Sequence, residues 1–153
     1  MGKTVAHNRK ARHLYNIEDT IEAGIELTGT EIKSVRGSNL NLQDAYARIE
    51  HDEAWLVGVH IAPWAGGNRN NHEPLRTRRL LLHRRQIDEL LGRTKAKGLT
   101  LIPLSIYFND RGKAKVQLGL ARGKKHYDHR RDIAERDAKR DMDREVADAM
   151  RGR

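Results

Sequence analysis

The chain has 153 residues, with 30 Lys and Arg against 21 Asp and Glu, a net charge of +9 and no cysteine. That length builds one hydrophobic core and is short for two, and the missing cysteines exclude disulfides, thiolate metal sites and thiol nucleophiles. The positive balance favours a polyanionic partner. No stretch approaches the ~20 apolar residues of a spanning helix or resembles a signal-peptide core, so a cytoplasmic protein away from membrane is expected. One Phe, four Tyr and two Trp are thin for reading single strands by base stacking, and structured RNA read by backbone and shape fits better.

Residues 1–13 carry Lys3, His7, Arg9, Lys10, Arg12 and His13 with almost nothing to bury, which predicts a mobile basic arm. From Leu14 to Thr28 the pattern is strand-like: Tyr15, Ile17, Ile21, Ala23, Ile25 and Leu27 alternate, with a bend or bulge at Asp19-Thr20. Residues 29–37 are bracketed by glycines. Ile32 and Val35 share the buried side of one helical turn, Lys33 and Arg36 the wet side, Ser34 lies between the two faces, and Thr30 is placed to cap by accepting the amide of Lys33. Two readings stay open here. The segment is a capped connector between strands, or it is a recognition corner in which Lys33 and Arg36 take phosphates while Glu31 accepts from base or ribose groups.

A turn at 38–42 leads back to the sheet, and Asp44 to His60 reads as a hairpin turned at His51-Asp52-Glu53. Residues 63–74, with two prolines, two glycines and three asparagines, form the longest loop. Thr77 to His83 is ambiguous between strand and helix, because Leu80-Leu81-Leu82 has no period. Taken as a short strand, it runs into a helix from about Arg84 to Lys97, whose apolar face is Ile87, Leu90, Leu91 and Thr94 and which Gly98 stops. Leu99 to Phe108 and Lys113 to Ala121 make a second hairpin, turned by Asn109-Asp110-Arg111-Gly112. In it Leu101, Pro103, Ser105 and Tyr107 face away from Ile102, Leu104, Ile106 and Phe108. Both faces are fairly apolar, as in a sheet that curls into a barrel.

Composition changes after Leu120. Residues 122–153 hold eleven basic and eight acidic residues, against nineteen and thirteen in 1–121. This tail cannot form a core, yet Ala134, Ala138, Met142, Val146 and Met150 recur every four residues. The i,i+4 pairs Asp132–Arg136 and Glu135–Lys139 add ~0.2–0.5 kcal/mol each, and Asp137–Asp141 and Arg136–Arg140 oppose them by similar amounts. The segment is poised between coil and helix and folds against a partner.

Catalytic signatures are missing. There is no HExxH spacing, no nucleophile elbow and no P-loop or dinucleotide glycine pattern. His126 and His129 offer at most a weak surface metal site. A general-base Glu31 would have its pKa lowered by Lys33 and Arg36. An RNA-processing enzyme stands as the alternative to a binding protein.

The order and spacing of several motifs are more specific. Asn8-Arg9-Lys10-Ala11-Arg12-His13, Glu22-Ala23-Gly24-Ile25, Leu27-Thr28-Gly29-Thr30-Glu31-Ile32-Lys33-Ser34-Val35-Arg36 and Asp44-Ala45-Tyr46-Ala47 open the series. Gly67-Asn68-Arg69, Asn71-His72-Glu73-Pro74-Leu75-Arg76-Thr77-Arg78, Leu80-Leu81-Leu82-His83, Gly98-Leu99-Thr100-Leu101 and Gly119-Leu120-Ala121-Arg122-Gly123-Lys124-Lys125 continue it. Together they resemble the small protein B family, the SsrA-binding proteins, from about Asn8 to Glu145.

The resemblance implies a mainly β protein: an oligonucleotide-binding-fold-like closed β-barrel with short α-helices over 14–123, a basic arm at 1–13, and a tail at 124–153 that is disordered when free. It implies no enzyme, cofactor or metal. Its implied partners are the tRNA-like domain of transfer-messenger RNA, the stalled ribosome (16S rRNA, decoding centre and empty mRNA channel), and elongation factor Tu with GTP during delivery. The implied RNA-binding residues are Glu31, Lys33, Ser34, Arg36, Asn68, Arg69, His72, Arg76, Arg78, Lys124 and Lys125. The implied ribosome-contacting tail residues are Tyr127, Asp128, His129, Arg130, Arg131, Arg136, Lys139 and Arg140. Two positions depart from the family pattern: Asn70 replaces an aromatic residue, and His129 replaces Lys in an Asp-Lys-Arg run, which makes that contact weaker and pH-sensitive.

Overall fold

The structure, a computed structural model, describes residues 3–67 and 71–123, with Lys97 described in its backbone alone. Asn68, Arg69, Lys124, Lys125 and the expected tail contacts from Tyr127 to Arg140 lie outside the described residues. Strand β1 (Thr4–His7) and helix α1 (Ala11–Leu14) precede the long strand β2 (Tyr15–Ile25). Helix α2 (Gly29–Arg36), β3 (Leu40–Asn41), the hairpin of β4 (Tyr46–Glu50) and β5 (Glu53–Val57), and β6 (His60–Ile61) follow. The chain continues through β7 (Arg78–Leu81), α3 (Arg84–Lys97), and the hairpin of β8 (Thr100–Phe108) and β9 (Ala114–Gly123).

Among the described residues the main sheet runs β1-β8-β4-β5-β7-β2-β9, and β8 also pairs with β9. Six antiparallel strands, β8, β4, β5, β7, β2 and β9, thus form a ring, as the mainly β expectation requires. Ala23, Leu56, Leu80, Leu101, Val116 and Leu118 fill the main core with Val35 of α2. The first hairpin turns tightly at His51 and Asp52, both with positive φ, as a two-residue turn matching the strand twist demands. Helix α3 buries Ile87 and Leu90 and stops at Gly98, whose φ of 63° is left-handed.

Two bulges decide which side chains reach that core. Glu18 is an extra residue between the pairs Ile17–Ala121 and Asp19–Leu120. Leu104 is the extra residue between Pro103–Leu118 and Ser105–Gln117. An inserted residue flips every later side chain to the other face. Tyr15 and Ile17 therefore pack outside with Ile102, Leu104 and Ala121, while Ile21, Ala23 and Ile25 turn inward. Likewise Leu101 and Ile106 share the inner cluster although their numbers differ in parity. The uniform alternation expected along 101–108 breaks at Leu104.

The outer apolar patch explains the first residues of the chain. Ala11 of α1 is buried against Ile102, Leu104 and Ala121, and β1 pairs with β8 with Val5 buried in the main core. Asn8 Nδ2 adds a hydrogen bond, donated to the Pro103 carbonyl at 3.0 Å. Residues 4–14 are therefore an ordered cover and not a mobile arm: Val5 and Ala11 suffice because the surface beneath them is already apolar. A second difference lies at Gly58, whose φ of 84° ends β5 at Val57. The return strand does not run on to His60. Instead β6 leaves the main sheet and pairs with β3.

Candidate nucleic-acid interface

Helix α2 begins at a reciprocal cap. Thr28 Oγ1 accepts the Glu31 amide at 3.4 Å, and Glu31 Oε1 accepts the Thr28 amide at 2.8 Å. The cap is thus Thr28, not Thr30, and the Thr28-x-x-Glu31 spacing carries that signature. Thr30 Oγ1 instead lies 2.8 Å from Nδ1 of His72. Nε2 of His72 is 2.9 Å from the Ile61 carbonyl, which can only accept, so Nε2 donates to it.

Glu31 is fully buried, and this corrects its expected role. Arg76 Nη2 donates to its Oε1 at 2.6 Å, and Arg78 Nε to its Oε2 at 2.5 Å. Arg78 is equally buried and spends its remaining donors on the carbonyls of Val59 at 2.7 Å and Pro74 at 3.0 Å. Burial alone would push the Glu31 carboxyl up. The hydrogen bonds from Arg76, the Thr28 amide and Arg78 outweigh it and hold the group down at about 2. Lys33 and Arg36 are not the cause. A carboxylate already holding three donors in the interior has no lone pair facing an RNA, so Glu31 is a positioning residue.

Ser34 is also buried, donating from Oγ to the Ala62 carbonyl at 2.6 Å. Glu31, Ser34, His72 and Arg78 thus tie α2 to the loop after β6, while Val35 anchors the helix in the core. What the knot leaves outside is cationic: Lys33 and Arg36 are exposed, and the Arg76 side chain is 37% exposed. The Lys33 ammonium stands 4.6 Å from the centre of the Trp64 ring, and the Arg36 guanidinium 5.8 Å from that of Phe108. Asn71 holds the Trp64 backbone through both ends of its amide, accepting at 2.9 Å and donating at 2.7 Å. Thr28, Trp64 and Asn71 were absent from the expected site. The cap spacing was a sequence signal for Thr28, and nothing local distinguished the other two.

The result is a small basic β-ring protein with a buried polar knot that presents cations beside an exposed aromatic ring. Comparison with known proteins makes this specific. The family model of the SmpB protein matches residues 5–148. The SsrA-binding protein of Desulforamulus reducens is 60% identical over 151 residues, spanning 99% of this chain and 91% of the relative. That of Listeria welshimeri is 57% identical over 143 residues, spanning 94% and 92%. A solved structure described as tmRNA-SmpB on a journey to the center of the bacterial ribosome contains a chain 52% identical, with a TM-score of 0.66 over 79% of this chain and 85% of that one. The chain belongs to the SmpB family of SsrA-binding proteins.

Proposed function

We propose that this chain binds the tRNA-like domain of transfer-messenger RNA and delivers it to stalled ribosomes for trans-translation, acting in the cytoplasm as a binding protein without catalysis. Membership of the SmpB family carries the reading, and the cations standing out from a rigid knot support it. Lys33, Arg36 and Arg76, with Asn68, Arg69, Lys124 and Lys125, contact RNA. Glu31, Ser34, His72 and Arg78 hold α2 and the loop in register. Elongation factor Tu with GTP accompanies the complex. The tail from Tyr127 to Arg140 meets 16S rRNA at the decoding centre and enters the empty mRNA channel.

The test is binding of transfer-messenger RNA from the native host across a salt series, with unrelated structured RNAs as competitors. Preference for transfer-messenger RNA is expected, and replacing Lys33 or Arg36 with Ala should each flatten the slope of log K against log salt by about one unit. Equal affinity for all structured RNAs would overturn the assignment.

A further inference from the structure

Most rings among the described residues are occupied. Tyr15 and Phe108 pack against the two apolar clusters, Tyr107 donates its hydroxyl to Glu22, and Trp55 Nε1 donates to the Glu50 carbonyl at 3.4 Å. Tyr46 and Trp64 are the exposed aromatics of this set, and Trp64 adjoins Lys33 of α2.

The indole of Trp64 is built into position. Its amide and carbonyl are both held by Asn71, and the Gly67 amide donates to the same carbonyl at 2.9 Å. A Cβ on residue 66 would come within 2.8 Å of its Cζ2, so only glycine lets the ring lie where it does. A Cβ on residue 67 would lie 3.0 Å from Thr30 Cγ2, which sets the loop directly against α2. The ring is thus set in place while 36% exposed, with an open face beside a cation.

We propose that Trp64 is a stacking platform for one unpaired base of the bound RNA, and that Lys33 covers the ring until RNA arrives. The inference deepens the proposed function and rests on it. An exposed cation–π contact is worth about two- to fivefold in an equilibrium. A base stacked on an aromatic ring is worth about 5- to 150-fold. The base therefore displaces the ammonium, which swings on its flexible stem to the adjoining phosphate. One unstacked base at a corner of a structured RNA needs one such platform, so a protein poor in aromatics can still supply it.

The full chain is tested against transcribed transfer-messenger RNA. Trp64→Ala should weaken binding by about 5- to 150-fold with an unchanged salt slope, because no phosphate contact is lost. Trp64→Phe should keep most of the affinity, and Lys33→Ala should lower the slope by about one unit. Because Trp55 is the only other tryptophan, a Trp55→Phe protein reports Trp64 alone, and its emission should be quenched at saturating RNA. If the unaltered chain binds while Trp64→Ala binds as tightly, or Trp64 emission does not change, the platform is overturned and the proposed function stands. If the unaltered chain does not bind this RNA, both are overturned.

Discussion

Glu31 links the helix cap, the loop and the strand: one carboxylate receives the Thr28 amide, Arg76 and Arg78. Removing one partner of a buried pair strands the other, at a cost of about 3–5 kcal/mol. Glu31→Ala should lower unfolding stability by that amount, since Arg78 has no route to water. Arg76→Ala should cost about 1 kcal/mol, because Arg76 is partly exposed. RNA binding by the Glu31 variant should weaken even though a negative charge is lost, because Lys33 and Trp64 lose their mount. Denaturant melts alongside RNA titration check this, and tighter binding by a fully folded variant would show Glu31 to be a spectator. The same geometry sets a pH dependence. The folded-state value is about 2 against an ordinary 4.5, so the unfolded chain takes up this proton first as pH falls. The stability Glu31 provides is complete above about 4.5 and is lost on the way down to about 2, a loss of about 3 kcal/mol. A Glu31→Gln protein should lack this acid-limb slope between those values.

At the scale of elements, patterns that depend on near neighbours were readable. The hairpin turned within His51-Asp52-Glu53 and helix α3 with its Gly98 stop follow from local spacing, and the structure places each there, whereas residues 77–83 have no period and only the structure decides for strand β7. Contacts that join distant segments were not readable. Arg76 and Arg78 lie 45 and 47 residues from Glu31, so nothing near residue 31 names its counter-charges, and the nearby Lys33 and Arg36 are not among them. The bulge at Glu18 falls one residue before the bend expected at Asp19-Thr20, whereas the bulge at Leu104 is silent in the hydropathy pattern, and each moves half a strand to the opposite face. The order of the opening segment is hidden for the same reason, because Ala11 is buried on the outer patch those bulges create and Val5 in the main core. Deleting residues 1–13 should therefore destabilise the β-ring by about 3 kcal/mol or more, from lost burial of Val5 and Ala11 together with the β1–β8 hydrogen bonds. A chain lacking those residues that melts at the unaltered temperature would show β1 and α1 to be passengers.

For the whole molecule, charge is divided unevenly between two parts of the chain. Residues 1–121 carry six of the nine net positive charges and residues 122–153 carry three, from nearly balanced acids and bases. The ring has its own core, closed within residues up to Gly123. The tail lies outside the described residues, and its composition offers no core to lose. Truncation after Lys125 should accordingly leave the melting temperature of the ring unchanged. It keeps Lys33, Arg36, Trp64 and both junction lysines, so transfer-messenger RNA should bind nearly as tightly as to the full chain. Under the proposed function, tagging on stalled ribosomes should fail, because the segment from Tyr127 onward would no longer be there to order inside a confining anionic channel that offsets its conformational entropy. Ala138→Pro should reproduce the failure without removing a single charge, since proline inside a helix costs ~3 kcal/mol. The two variants separate explanations: a charge-driven tail tolerates the proline, whereas a tail that acts as a helix does not. Normal rescue rates from the truncated protein would remove the tail from the mechanism altogether, and normal rates from the proline variant alone would leave it acting as an extended basic strand.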